Sequence, residues 1–159
     1  MFFATARDFF DFAREASRDA ERIGRQLAEM EVRAEGIGSG GFEPRVRSTP
    51  DPDRMAGRVV ANADHKERLE ARREEDYRII DVACAVLYGE DNRSGLYALV
   101  GWPADAIYHH YLALRTWDAV ADMMGYSAQH VRRSVSAALD LADANGDMWT
   151  RLGRGLATS

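Results

Sequence analysis

The stretch Tyr111–Leu139, YLALRTWDAVADMMGYSAQHVRRSVSAAL, decides how the rest of this chain is read. It predicts two helices joined by a tight turn. The Thr116 hydroxyl caps the first helix, and Asp118 in its first turn complements the helix dipole. Val120, Ala121 and Met124 make the inner stripe of that helix. Gly125 can adopt a positive φ and end the helix without a steric penalty. Ser127 caps the second helix, whose inner stripe is Val131, Val135, Ala138 and Ala142.

The spacing points to a particular kind of helical hairpin. Ala121 stands four residues before Gly125, and Val131 six after it. A small residue where two helices cross, a glycine in the turn and a branched apolar residue on re-entry to the core belong together in a helix-turn-helix. At about 100° per residue, Gln129, Arg133 and Ser136 point roughly opposite Val131, with Arg132 on the flank. Such side chains read base edges or hold phosphates. The plainer alternative is an ordinary helical hairpin carrying a solvated Arg-Arg pair.

Outward from this stretch, the 159 residues fit one domain, or a small domain with an extended helical arm. Hydrophobic residues make up 46% and charged residues 30%, a balance that excludes a disordered chain. Net charge is −5, which argues against a protein that coats nucleic acid nonspecifically. Between Asp105 and Asp143 three arginines face five aspartates, 3 − 5 = −2. A DNA site there must be small and focused, and a monomer binds weakly. The expected partners are therefore double-stranded DNA and further copies of the chain, a homodimer or a higher homo-oligomer.

Residues 1–35 read as an N-terminal amphipathic helix, regular from residue 7. Phe9, Ala16, Ile23 and Met30 recur every seven residues, as do Ala13, Ala20, Leu27 and Ala34. The four alanines bury little area, so this seam needs a partner, either another copy or the next helix. Phe2, Phe3, Phe10 and Phe12 extend the core or form an interface. Residues 36–53 hold four glycines and three of the four prolines and read as a flexible linker. Arg45 and Arg47 there are candidate phosphate contacts. Residues 54–88 predict a second long helix whose charged middle, HKERLEARREED, has Leu69 as its anchor. Residues 89–159 form the C-terminal helix-turn-helix domain with its tail. A support helix over 103–114 carries Ile107, Tyr108, Tyr111 and Leu112. The tail offers Trp149 and Leu152 for docking, and Arg151 and Arg154 for phosphate. The fold class is all-α: long N-terminal helices, as an antiparallel pair or a coiled-coil arm, followed by a small helix-turn-helix bundle.

Catalytic chemistry is sparse. His65, His109, His110 and His130 lack zinc-site spacing, and adjacent His109 and His110 project about 100° apart on a helix. No phosphate-binding glycine loop opens a helix. Cys84 lies in an apolar stretch and reads as a buried, inert thiol of a reducing cytoplasm. Neither a membrane span nor a signal peptide is expected from the sequence. No enzyme, metal or cofactor is expected.

Residues 110–139, HYLALRTWDAVADMMGYSAQHVRRSVSAAL, resemble the C-terminal region of phage and prophage regulators of the ArpU and RinA type. Those proteins end in a helix-turn-helix similar to region four of bacterial sigma factors. The order of elements extends the likeness over nearly the whole chain: charged helix, Gly-rich connector with PDPDRMAGRV, second charged helix, tyrosine-containing helix. The resemblance implies a cytoplasmic, phage-encoded transcriptional regulator of late or packaging genes, with RNA polymerase as a partner. It implies Ser127, Gln129, His130, Arg132 and Arg133 as DNA-facing positions; helix geometry adds Ser136. Two other classes fit the same pattern. One is the small DNA-recognition subunit of a phage packaging terminase, a ring; the other is a helical adaptor without DNA binding.

Overall fold

A computed structural model of the chain describes residues 3–36 and 52–146. The protein is all-α: six α-helices and one short π-helical stretch, with no strand among the described residues. Of the expected linker over 36–53, residues 37–51, with Arg45 and Arg47, lie outside the described residues, as do Phe2 and the tail from 147 onward, while Gly36, Pro52 and Asp53 are helical. The chain forms two compact units, one of residues up to 19 and from 76, the other of residues 20–75. The two long helices, α1 (Ala6–Gly36) and α2 (Pro52–Tyr88), contribute to both.

In the first unit α1 begins where the Thr5 hydroxyl accepts a hydrogen bond from the Asp8 N–H at 3.1 Å, an ordinary N-cap. The Ala6 N–H, another orphan donor of the first turn, goes to the Asp143 carboxylate at 2.7 Å. Phe9 and Phe10 are fully buried. Phe10 packs its ring against Tyr111 at 5.9 Å, Phe3 meets Phe9 edge-on at 5.3 Å, and Phe12 lies tilted against Phe3 at 5.2 Å. Among the described residues, Phe3 and Phe10 therefore extend the core, with Phe12 half-buried beside Phe3. Val86 and Leu87 from the end of α2, Leu96, Ile107, Val120, Val131 and Leu139 complete that core. Each large apolar side chain so buried contributes about 1.5–3 kcal/mol.

After α2 the chain turns through Gly89–Gly95, where the Asp91 carboxylate accepts from the N–H groups of Arg93 and Ser94 and from the Ser94 hydroxyl. Helix α3 (Leu96–Val100) and α4 (Trp102–Ile107) follow, with Pro103 in the first turn of α4 as its fixed φ favours. The Tyr88 hydroxyl donates to Asp105 at 2.7 Å and ties α2 to α4.

The expected support helix over 103–114 differs in its last turns. From Tyr108 to Leu112 the backbone widens into a π-helical stretch. The Ala113 N–H reaches back to the Tyr108 carbonyl and the Arg115 N–H to that of His109, both at 3.0 Å. One extra residue in a turn rotates every side chain after it. Here that brings Tyr111 and Leu112 into the core and leaves the His110 carbonyl to accept from the Arg14 guanidinium. Leu114 then takes φ 61, unusual for a leucine, and the helix stops.

In the second unit Ile23 and Leu27 of α1 pack with Leu69 of α2, and Met30 lies against them. The seven-residue seam is buried as far as Leu27, and Ala34 is exposed. Leu69 anchors the charged middle of α2 as its sequence suggests. The stripe that called for a partner is thus covered within the chain. Among the described residues of this unit, the large apolar side chains that remain exposed are Val32, Val59 and Val60, each 60% or more.

Candidate nucleic-acid interface

Helices α5 (Trp117–Met124) and α6 (Ala128–Ala144) carry the residues singled out from sequence. The Thr116 hydroxyl accepts from the Ala119 N–H, and the Ser127 hydroxyl from the His130 N–H, each at 3.2 Å. Gly125 sits at φ 75, ψ 26, and its N–H and that of Tyr126 both close on the Ala121 carbonyl. This satisfies the end of α5 and turns the chain within three residues. Val120 and Ala121 are buried, and so are Val131, Val135, Ala138 and Ala142 of α6; Met124 is half-buried. Leu139 joins them fully buried, one position the stripe omitted.

The six candidate positions are not equivalent. Gln129 and Arg133 are exposed, one turn apart on the arc opposite the core. Ser127 is exposed too, but its oxygen is engaged in the cap. His130 is turned to one flank, its ring 5.7 Å from Trp102 and 5.0 Å from Tyr126, which themselves stack at 4.7 Å. Ser136 is turned to the opposite flank. It is half-buried and accepts from the Arg7 guanidinium at 3.1 Å, so it does not share the free arc of Gln129 and Arg133. Arg132 is exposed on that same flank, beside a cleft of about 190 Å³ lined also by Arg7, Trp117 and Ser136. Asp140, exposed as well, falls on the Gln129–Arg133 arc two turns further along.

Behind the cleft, the π-helical stretch sets the His110 ring flat on Trp117, 3.7 Å between centroids and 18° between planes. Its Nδ1–H donates to the Arg115 carbonyl at 2.8 Å, which fixes the neutral tautomer. Burial pushes its pKa down to about 4; the Arg115 carbonyl works against the fall, and Arg14, Arg132 and Arg18 add to it. An unfolded chain protonates the ring near 6.5, the native protein only near 4. The stabilisation is therefore complete above pH 6.5 and is lost as pH falls through that window. The loss is on the order of 1–2 kcal/mol, the full linkage value being reduced because the ring is only half-buried. Denaturation at pH 7.5 and pH 4.5 is expected to show this difference in the protein and not in His110→Asn, which keeps a donor and does not titrate. Equal pH dependence in both would remove the neutral-histidine assignment.

Cys84 is half-buried, and its thiol is held protonated, first by burial and then by Asp81. Among the described residues no group of three or more His, Cys, Asp or Glu is placed to hold a metal ion. No described helix is long and apolar enough to cross a membrane.

No family model, curated protein or solved structure matches the chain. Arg7, Trp117, Trp102 and Tyr126 all border the α6 surface, and sequence reading assigned none of them to it. Arg7 lies 129 positions from Ser136, so no local pattern connects them. The one available signal was Trp117, an indole at the start of an otherwise small helix.

Proposed function

We propose that the protein is a sequence-specific DNA-binding protein, with α5 and α6 as a helix-turn-helix and α6 as the recognition helix. The observation that supports this best is the exposed Gln129–Arg133 arc on a helix fixed at its N-terminus by the Ser127 cap and the Gly125 turn. Rigid placement matters because base contacts are lost at small displacements. Gln and Arg can each make bidentate contacts, with adenine and guanine respectively. The resemblance of residues 110–139 to phage and prophage regulators extends the proposal to cytoplasmic control of late or packaging genes through RNA polymerase. Selection of random duplex DNA by the full chain tests it directly. A common sequence should enrich over successive rounds; a folded protein that enriches nothing is not a sequence-specific binder.

One such arc on an acidic surface gives weak binding as a monomer, so the proposal includes a dimer. Adjacent Val59 and Val60 on α2, 66% and 60% exposed, offer it a pair of neighbouring apolar side chains in the second unit. Light scattering should give twice the chain mass, 2 × 17.8 kDa, and Val59→Asp with Val60→Asp should return the single-chain mass. A ring of many copies would instead favour the packaging subunit, and an unchanged mass in the double variant would place the dimer contact elsewhere. A helical adaptor without DNA binding is favoured by one observation, the Asp140 carboxylate on the same arc as Arg133. Enrichment in the selection decides against it.

A further inference from the structure

We propose that the cleft between Arg7 and Arg132 receives a phosphate of the DNA backbone, so that the first turn of α1 belongs to the nucleic-acid interface. The proposal rests on the DNA-binding reading of α6 and adds to it a second element, distant in sequence.

Three observations carry it. The first is preorganisation. Arg7 donates to the Ser136 hydroxyl at 3.1 Å, and the neighbouring Ala6 N–H to Asp143 at 2.7 Å. The start of α1 is thus tied to α6 at two points seven residues, or two turns, apart. Holding Arg7 in place lowers the ordering cost of a contact.

The second is the chemistry of the lining. Its polar groups are two guanidinium groups, the Ser136 hydroxyl and the Tyr111 phenol; Trp117, Val135 and Leu139 make the remaining walls. No carboxylate lines it, and neither arginine is ion-paired among the described residues. Asp11 is the acidic group that acts on Tyr111, against Arg7 and Arg14. A guanidinium has five donors and Ser136 occupies one, leaving Arg7 a fork suited to phosphate oxygens. Arg14 and Arg18 add to the positive field, which is felt at His110.

The third is position. Around α6, Arg132 lies about 60° from Gln129 and about 100° from Arg133. With the Gln129–Arg133 arc turned to base edges in a groove about 12 Å wide, that flank meets one sugar–phosphate strand.

Fluorescence-anisotropy titration of the selected duplex across about 50–200 mM salt tests the cleft. Arg7→Ala is expected to bind about tenfold more weakly, to selected and scrambled duplex alike, with the salt slope smaller by about one. Arg7→Lys should recover most of the loss, since a phosphate accepts a point charge. Helical circular dichroism should be unchanged in both. If Arg7→Ala matches the parent protein in affinity and slope while Arg133→Ala loses specific binding, the DNA reading stands and the cleft assignment falls. If the parent protein binds no duplex, the DNA reading itself fails. Titration with deoxyadenosine monophosphate, followed by the Trp117 indole N–H resonance, then separates two overturning outcomes. Binding abolished by Arg7→Ala makes the cleft a site for free phosphate compounds; no binding leaves it no phosphate role.

Discussion

Gly95→Ala is expected to destabilise the first unit by roughly 3–5 kcal/mol. Gly95 holds φ 75 with ψ −160, a region that essentially only glycine enters. That strain alone costs about 1–3 kcal/mol. A Cβ there would also stand 2.7 Å from the Gly89 nitrogen and 2.8 Å from the carbonyl carbon and oxygen of Leu87. These are backbone atoms at the end of α2, next to fully buried Leu87 and Leu96, and they have no rotamer to move to. Gly125 provides the control. Its φ is the same 75°, but its ψ of 26° is the ordinary left-handed cap, and a Cβ there meets nothing within 4 Å. Gly125→Ala should therefore cost only about 1 kcal/mol. Urea denaturation of the three proteins measures the contrast. Equal losses at the two glycines would mean that the close approach at Gly95 is not a constraint.

The contrast between these glycines also separates what the chain discloses locally from what it does not. Gly125 is legible because its neighbours announce it: Thr116, Asp118, Gly125 and Ser127 are a cap, a dipole partner, a stop and a second cap, all within twelve residues. Gly95 is one of several glycines in a break, and its need for a bare Cα comes from Leu87, across the turn. The inner stripes of α5 and α6 follow the same logic. A period of 3.6 identifies Val131, Val135, Ala138 and Ala142 without reference to anything else. Leu139 escapes because it sits at the edge of that stripe and is buried by neighbours the helix does not encode.

Two further features were closed to a periodic reading. Composition cannot announce the π-helical stretch at Tyr108–Leu112. Its widened turn depends on Tyr111 finding Phe10, and on Arg14 satisfying the freed His110 carbonyl. The seven-residue seam of α1 was legible as a stripe, but a stripe does not name its cover. Leu69 covers its Ile23 and Leu27 from an otherwise charged segment of α2, and a lone leucine among charges gives no hint of which helix it faces. At the candidate site, Gln129 and Arg133 needed only helix geometry. The departure of Ser136 from their arc needed Arg7, and nothing within α6 could disclose it.

Arg133→Ala is expected to weaken binding of the selected duplex by about 10–100-fold, or roughly 1–3 kcal/mol, if the guanidinium reads a base. Arg133 is exposed on the arc opposite Val131, Val135 and Ala138, so its removal disturbs no packing. Alanine is also the better helix former, and the fold should be unchanged or slightly firmer. The loss should then be concentrated at one base pair: the preference there relaxes while other positions keep theirs. Arg133→Lys distinguishes the two ways of using the charge. A guanine is held by the planar fork, which lysine lacks, so lysine would restore affinity without restoring the preference. A phosphate accepts either cation, so lysine would restore the affinity, and no preference would have been lost. In that case the alanine loss would be uniform across sequences and the salt slope would fall by about one. Asp140, on the same arc, supplies an internal check, because a carboxylate facing the duplex opposes binding at low salt. Asp140→Asn should tighten binding severalfold at 50 mM salt and far less at 200 mM, where screening shortens its reach to about 8 Å or less. A folded Arg133→Ala protein that binds with undiminished affinity, together with an Asp140→Asn protein that binds no better, would take α6 out of the interface. The arginine pair at its start would then be solvated charge on an ordinary helical hairpin.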